Sequence, residues 1–140
     1  MKDGVLQPGA TLEFGYRVER RHLASALDGG EGGLFPDVYS TAFLVGLMEA
    51  CCSRLLAQAL DSDEMSVGGG LQQVSHLAPT PEGAQVRAIA RLERVEGKFW
   101  HFTIQAFDDL GLIGEAVHRR AVVKTADFHA RAGKRRPVAS

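Results

Sequence analysis

Ser40-Thr41-Ala42-Phe43-Leu44-Val45-Gly46-Leu47-Met48-Glu49-Ala50-Cys51-Cys52-Ser53-Arg54-Leu55-Leu56 is the stretch on which the fold turns. Ser40 and Thr41 supply hydroxyls suited to capping the free N–H groups at a helix start. From Ala42 to Met48 the expected helix is apolar on every side, and a helix that is hydrophobic all round is buried rather than laid on a surface. Arg54, Gln58 and Asp61 restore a wet face, which sets a helix from about Tyr39 to Leu60.

Outward from this helix the chain reads as strands. Upstream, Leu12, Phe14, Tyr16 and Val18 alternate with polar residues, the pattern of a half-buried strand. Asp28-Gly29-Gly30-Glu31-Gly32-Gly33 has little to pack with and reads as a mobile loop. Downstream, Leu71–Ala78 is one candidate strand, and Val86, Ala88, Ala90 and Leu92 mark the next. A turn at Glu96-Gly97 leads into Trp100, Phe102, Ile104 and Ala106. A second turn at Asp108–Gly111 precedes a last strand from Ile113 to Lys124. One strand, a buried helix and then four strands predict an α+β protein, with an antiparallel sheet wrapped around one helix. A single sheet leaves edges bare, so pairing with a second copy is expected.

Composition narrows the classes of function. At 140 residues, 45% of them hydrophobic and 24% charged, the chain is one domain with a proper core, not a disordered segment. A formal net charge of -1 argues against a nucleic-acid binder, which carries a basic excess. No run of about 18 apolar residues is available to span a membrane. The first residues lack the apolar stretch of a signal peptide, so the cytoplasm is the expected compartment. The two cysteines, Cys51 and Cys52, are adjacent, which is poor geometry for a disulfide, and read as reduced, buried packing residues.

Three residues stand out as candidates for chemistry. Glu49 sits among Val45, Gly46, Met48, Ala50 and Cys52, where burial would raise its pKa toward that of a base or nucleophile; a structural hydrogen bond or a polar dimer seam explains it equally well. His76 shares a strand face with Gln72 and Val74 and is either a proton shuttle or a satisfied structural histidine. Thr41 reads first as a helix cap, although a hydroxyl there can also meet a substrate. Thr41 and Glu49 are separated by about 12 Å of regular helix, so they meet only around a substrate, through a break near Gly46, or across a dimer. Gly68-Gly69-Gly70, placed before the His76 strand, reads either as a turn or as a site of close approach. Arg120 reads as an exposed strand charge, and His22, His101, His118 and His129 carry no specific signal.

The segment Phe35-Pro36-Asp37-Val38-Tyr39, continuing through Thr41 to Glu49, resembles the helix segment of the fluoroacetyl-coenzyme A thioesterases. The likeness continues in Val74-Ser75-His76, Val95-Glu96-Gly97, Gly114 and His118-Arg119-Arg120-Ala121-Val122. It implies a hotdog fold in a single domain over residues 1–130, with a basic tail over 131–140, and pairing into a homodimer. It implies catalytic roles for Thr41, Glu49 and His76, places Gly69 and Arg120 at the substrate, and puts Phe35 and Leu23 at lid positions. A further lid position, bulky in the family, falls on Gly32, which implies a more open pocket and a larger acyl group as the alternative to fluoroacetyl. The implied activity is hydrolysis of a short acyl-coenzyme A; the alternatives are a chain carried on an acyl carrier protein, or binding without catalysis. Neither a cofactor nor a metal is implied, and neither a nucleic acid nor a membrane is an expected partner.

Overall fold

The alternating segments form five strands: β1 (Thr11–Arg17), β2 (Glu64–His76), β3 (Gln85–Glu96), β4 (Phe99–Asp108) and β5 (Gly111–Lys124). The computed structural model describes residues 1–27 and 33–138. Every strand pair is antiparallel, in the order β1-β3-β4-β5-β2, so β1 and β2 are the edges. Helix α1 (Thr41–Ala57) lies in the concave face of this sheet, as expected, and two single-turn helices, Arg20–His22 and Ala24–Ala26, precede it. The expected loop at 28–33 falls almost entirely outside the described residues, and so does Gly32.

Packing holds the helix in place. Leu44, Leu47, Met48, Cys51, Cys52, Leu55 and Leu56 are all buried, against inward rows that include Val86, Ala88, Ala90 and Leu92 of β3 and Phe102, Ile104 and Ala106 of β4. The alanines of β3 let the helix lie close to the sheet. Each leucine so buried contributes about 1.5–3 kcal/mol, which outweighs the cost of about 1 kcal/mol for Gly46 within the helix. The helix therefore runs unbroken across Gly46.

Three expectations are corrected. The helix is not buried all round: Thr41, Ala42, Gly46 and Glu49 are exposed, and Val45 and Ser53 only half-buried, so one side of α1 is left uncovered by its own sheet. The strand read from Leu71 begins at Glu64, which places Gly68-Gly69-Gly70 inside β2 rather than in a turn before it. Alternation along β2 also fails, because its pairing with β5 shifts between Gly68 and Gly70 and again between Gln72 and Ser75, with Gln73 in the left-handed region at φ +54°. A bulge inserts an unpaired residue and changes which face later side chains occupy, so His76 is not fixed by counting from Gln72. After β5, helix α2 (Thr125–Lys134) carries Arg131 and Lys134 on its last turn, with Arg135 and Arg136 just beyond.

Candidate active site

Two clusters form at the two ends of the uncovered side of α1. At its start, Ser40 is the residue that caps the helix: its side chain accepts a hydrogen bond from the Phe43 N–H at 3.0 Å. Thr41, read from sequence as the cap, is therefore released from that duty. Its Oγ1 lies 2.7 Å from Nδ1 of His76 at the end of β2. The other ring nitrogen, Nε2, is buried without a hydrogen-bond partner among the described residues. Burial holds the His76 pKa below the ordinary histidine range, partly offset by the backbone at Ala78, so the ring is neutral near pH 7.

A groove of about 370 Å³ opens beside this pair, with Phe35, Pro36, Val38, Leu77 and Ala78 among its walls. Backbone bonds from Ala24 to Val38 and from Ser25 to Pro36 tie the outer wall to the short helices. Phe35 is about half exposed at the mouth, whereas Leu23 is buried and bridges to Tyr39. Behind the wall, His22 is buried with Nδ1 accepting from the Glu19 N–H, and it packs on Tyr16, Tyr39 and Phe43. A larger hollow of about 560 Å³, on the far side of the sheet between Thr11, Arg91, Thr103 and Glu115, holds none of the candidate residues.

Two turns further along α1, the Glu49 side chain is 52% exposed, not buried. Its Oε2 lies 3.8 Å from Nη1 of Arg120 and 4.0 Å from Nε2 of His118. Arg120, expected as an exposed charge, is only 6% exposed. A buried guanidinium requires hydrogen-bond acceptors on its donors, and it has them. Nε donates to Ser66 Oγ at 2.8 Å, Nη2 to the Ser66 carbonyl at 2.9 Å, and Nη1 to His118 Nε2 at 3.0 Å. His118 is itself buried, with Nδ1 2.6 Å from the Gly70 carbonyl.

The glycines of β2 make this approach possible. A Cβ on Gly68 would stand 2.9 Å from Glu49 Oε2, and one on Gly69 would stand 2.8 Å from the Phe99 ring. Strand β2 thus brings a carboxylate against one face and an aromatic ring against the other. Gly69 has no counterpart on β5, and its carbonyl accepts from Arg119 Nε at 3.0 Å.

The sequence-derived residues are therefore brought together as Thr41 with His76, and as Glu49 with Arg120 and the β2 glycines. Within one protomer the two clusters stay apart, as helix geometry requires. Sequence reasoning missed His118 and Ser66. Counting by twos from the inward Ala116 reaches His118 and Arg120, so that signal was present for both. For Ser66, inside an unrecognised part of β2, there was none.

Comparison with known proteins adds what geometry alone does not. Residues 18–126 match the family model described as fluoroacetyl-CoA-specific thioesterase. The fluoroacetyl-CoA thioesterase of Streptantibioticus cattleyicolor is 39% identical over 104 residues, 74% of each chain. The solved structure of the fluoroacetyl-CoA thioesterase FlK superposes with a TM-score of 0.87 at 32% identity, covering 94% of this chain and 98% of that one. A thioesterase superfamily member from Thermus thermophilus gives 0.80 at 25% identity, covering 91% of both chains. The sheet and helix described above are those of the hotdog-fold thioesterases.

Proposed function

This chain belongs to the fluoroacetyl-CoA-specific thioesterase family, and on that footing we propose that it hydrolyses a short acyl-CoA to the free acid and coenzyme A at a site completed by a second copy of itself. The observation that supports this reading is the symmetry of the two clusters. Thr41 and Glu49 lie four residues either side of Val45 on α1, and His76 and Gly68 lie four residues either side of Gln72 on β2. A two-fold axis near Val45 and Gln72 would lay one protomer's Thr41 and His76 against its partner's Glu49 and Gly68. It would also pair the bare β2 edges and cover the small and apolar side of α1, removing two exposed liabilities at once.

In such a site the Glu49 carboxylate takes a proton from water as the water oxygen bonds to the thioester carbonyl carbon. The oxygen that becomes negative is held by backbone N–H groups near Gly69, where the bulge frees the strand from its ladder. The tetrahedral intermediate then breaks its C–S bond. The departing thiolate receives the proton from Glu49 by way of His76 Nε2, and the carboxylic acid ionises. Thr41 holds Nδ1, which leaves Nε2 as the nitrogen that faces the reaction. Phe35 and the groove beside it take the acyl group, and Arg120 aims Glu49.

The test is thiol release from a panel of acyl-CoA substrates, with fluoroacetyl and acetyl compared directly, followed by a mixing experiment. His76→Ala and Glu49→Gln homodimers are both expected to be inactive. Subunits mixed and re-associated should recover about a quarter of native activity, because half the dimers then hold one intact site out of two. No recovery from a mixture shown to contain heterodimers would place the whole site within one protomer. Thiol release only from a carrier-bound chain would reassign the substrate, and tight acyl-CoA binding without release would replace catalysis by binding.

A further inference from the structure

His118 is a buried titratable group beside Glu49 and Arg120 that the mechanism above leaves without a task. Its hydrogen bonds define its chemical state. The Gly70 carbonyl can only accept, so Nδ1 carries the proton of the 2.6 Å contact. Arginine can only donate, so Nε2 offers its lone pair to Arg120 Nη1 at 3.0 Å. Both conditions are met by the neutral ring protonated on Nδ1 and by no other form. Burial, first, and the neighbouring Arg120 charge hold the His118 pKa down in spite of the Gly70 carbonyl and Glu49. The 4.0 Å approach of Nε2 to Glu49 is therefore not an ion pair.

The consequence falls on Arg120. Ser66 accepts from Nε and Nη2 on one side of the planar guanidinium, and this leaves buried Nη1 in need of an acceptor of its own. His118 fixes Nη1 at the point where it also lies 3.8 Å from Glu49 Oε2. We infer that His118 is a positioning residue for thioester hydrolysis: its Nε2 lone pair locks the Arg120 guanidinium and thereby sets the direction of the Glu49 carboxylate. The inference rests on Glu49 acting as the base in the proposed reaction. It gives a function to the β2 bulge as well, since the Gly70 carbonyl selects the tautomer.

Two substitutions separate the ring's two bonds. His118→Asn can still donate to Gly70 but offers nothing at the Nε2 position, whereas His118→Gln offers an oxygen there. His118→Asn should lower kcat about tenfold while KM moves less than about twofold, and His118→Gln should recover most of the loss. In an Arg120→Met background, His118→Asn should cost less than about a further twofold, because the two residues act as one unit. Equal losses in the Asn and Gln variants that follow their Tm, or full additivity with Arg120→Met, would overturn the role. A second measurement needs neither substrate nor variant. The nitrogen-15 spectrum of histidine-labelled native protein at pH 7 should show His118 neutral and protonated on Nδ1, and an Nε2-protonated ring or an imidazolium would overturn the geometry. If the native protein hydrolyses no acyl thioester, the role in catalysis falls with the activity, and the spectrum then shows whether the bonding itself was right.

Discussion

The two ends of the uncovered side of α1 are built on opposite terms. At the Thr41 end the groups are neutral, the walls are apolar, and one buried nitrogen of His76 has no partner among the described residues. At the Glu49 end a carboxylate faces a guanidinium, and all three nitrogens of Arg120 make hydrogen bonds. One end lacks a partner for its buried nitrogen; the other presents a half-exposed carboxylate. Each has what the other lacks, and a regular helix keeps them about 12 Å apart in one protomer. On the proposed reading, the contrast divides the catalytic groups between two half-sites rather than gathering them in one.

The sharpest way to break the comparison is to neutralise each end in turn. Glu49→Gln should lower kcat about a thousandfold and His76→Ala about a hundredfold. Thr41→Val should cost about tenfold alone and almost nothing when added to His76→Ala, since the hydroxyl works through that ring. A Thr41→Val loss that multiplies in full with His76→Ala would mean that the hydroxyl meets the substrate directly. Tm should move little in Glu49→Gln, because that side chain is half exposed.

A milder perturbation touches only the charged end. Gly68→Ala puts a methyl group 2.9 Å from Glu49 Oε2, closer than such atoms pack, and the flexible carboxylate can turn away. About a tenfold fall in kcat with an unchanged thermal transition is expected. Native turnover in this variant would show that the carboxylate position is not critical.

The smallest effect is on stability. Burial holds the pKa values of His22, His76 and His118 below the ordinary range. The unfolded chain takes up these protons near pH 6.5 and the folded one only at lower pH, so their stabilisation is complete above about 6.5 and is lost as the pH falls through the folded values. Tm should drop by a few degrees between pH 7 and 5, and by less in His118→Gln. The depressed carboxylates Asp63 and Glu64 act lower, below about pH 4.5, outside this window. A Tm that rises on acidification would contradict the assignment.

Much of this architecture was legible in the sequence, and the failures have physical causes. The core face of α1 and the alternating rows of β3 and β4 follow from apolar periodicity, because burial is what that pattern records. Glu49 stood out as a carboxylate in an apolar run, Thr41 as a hydroxyl at a helix start and His76 as a histidine on a strand. The triple glycine left two readings open, because without side chains it shows no alternation and imitates a turn; it lies within a strand approached closely on both faces, which is the second of them. The bulge at Gln73 broke the count that would have oriented His76. Ser40 and Thr41 are neighbouring hydroxyls, and only the helix geometry decides which of them caps. The side of α1 that remains uncovered reads in sequence as core, since small and apolar residues such as Ala42, Val45 and Gly46 carry no record of which surface, if any, covers them.

Cys51 and Cys52 acquire a further meaning once the product is considered. Both thiols are fully buried, burial pushes both pKa values up, and Cys51 donates to the Leu12 and Ala88 carbonyls. Disulfide exchange needs a thiolate with access to the attacking sulfur, and neither condition is met. Hydrolysis of a thioester liberates a free thiol at every turnover, and oxidised forms of that thiol accumulate under stress. A catalyst with an accessible cysteine would be capped by its own product; this one keeps its sulfur chemistry entirely on the substrate.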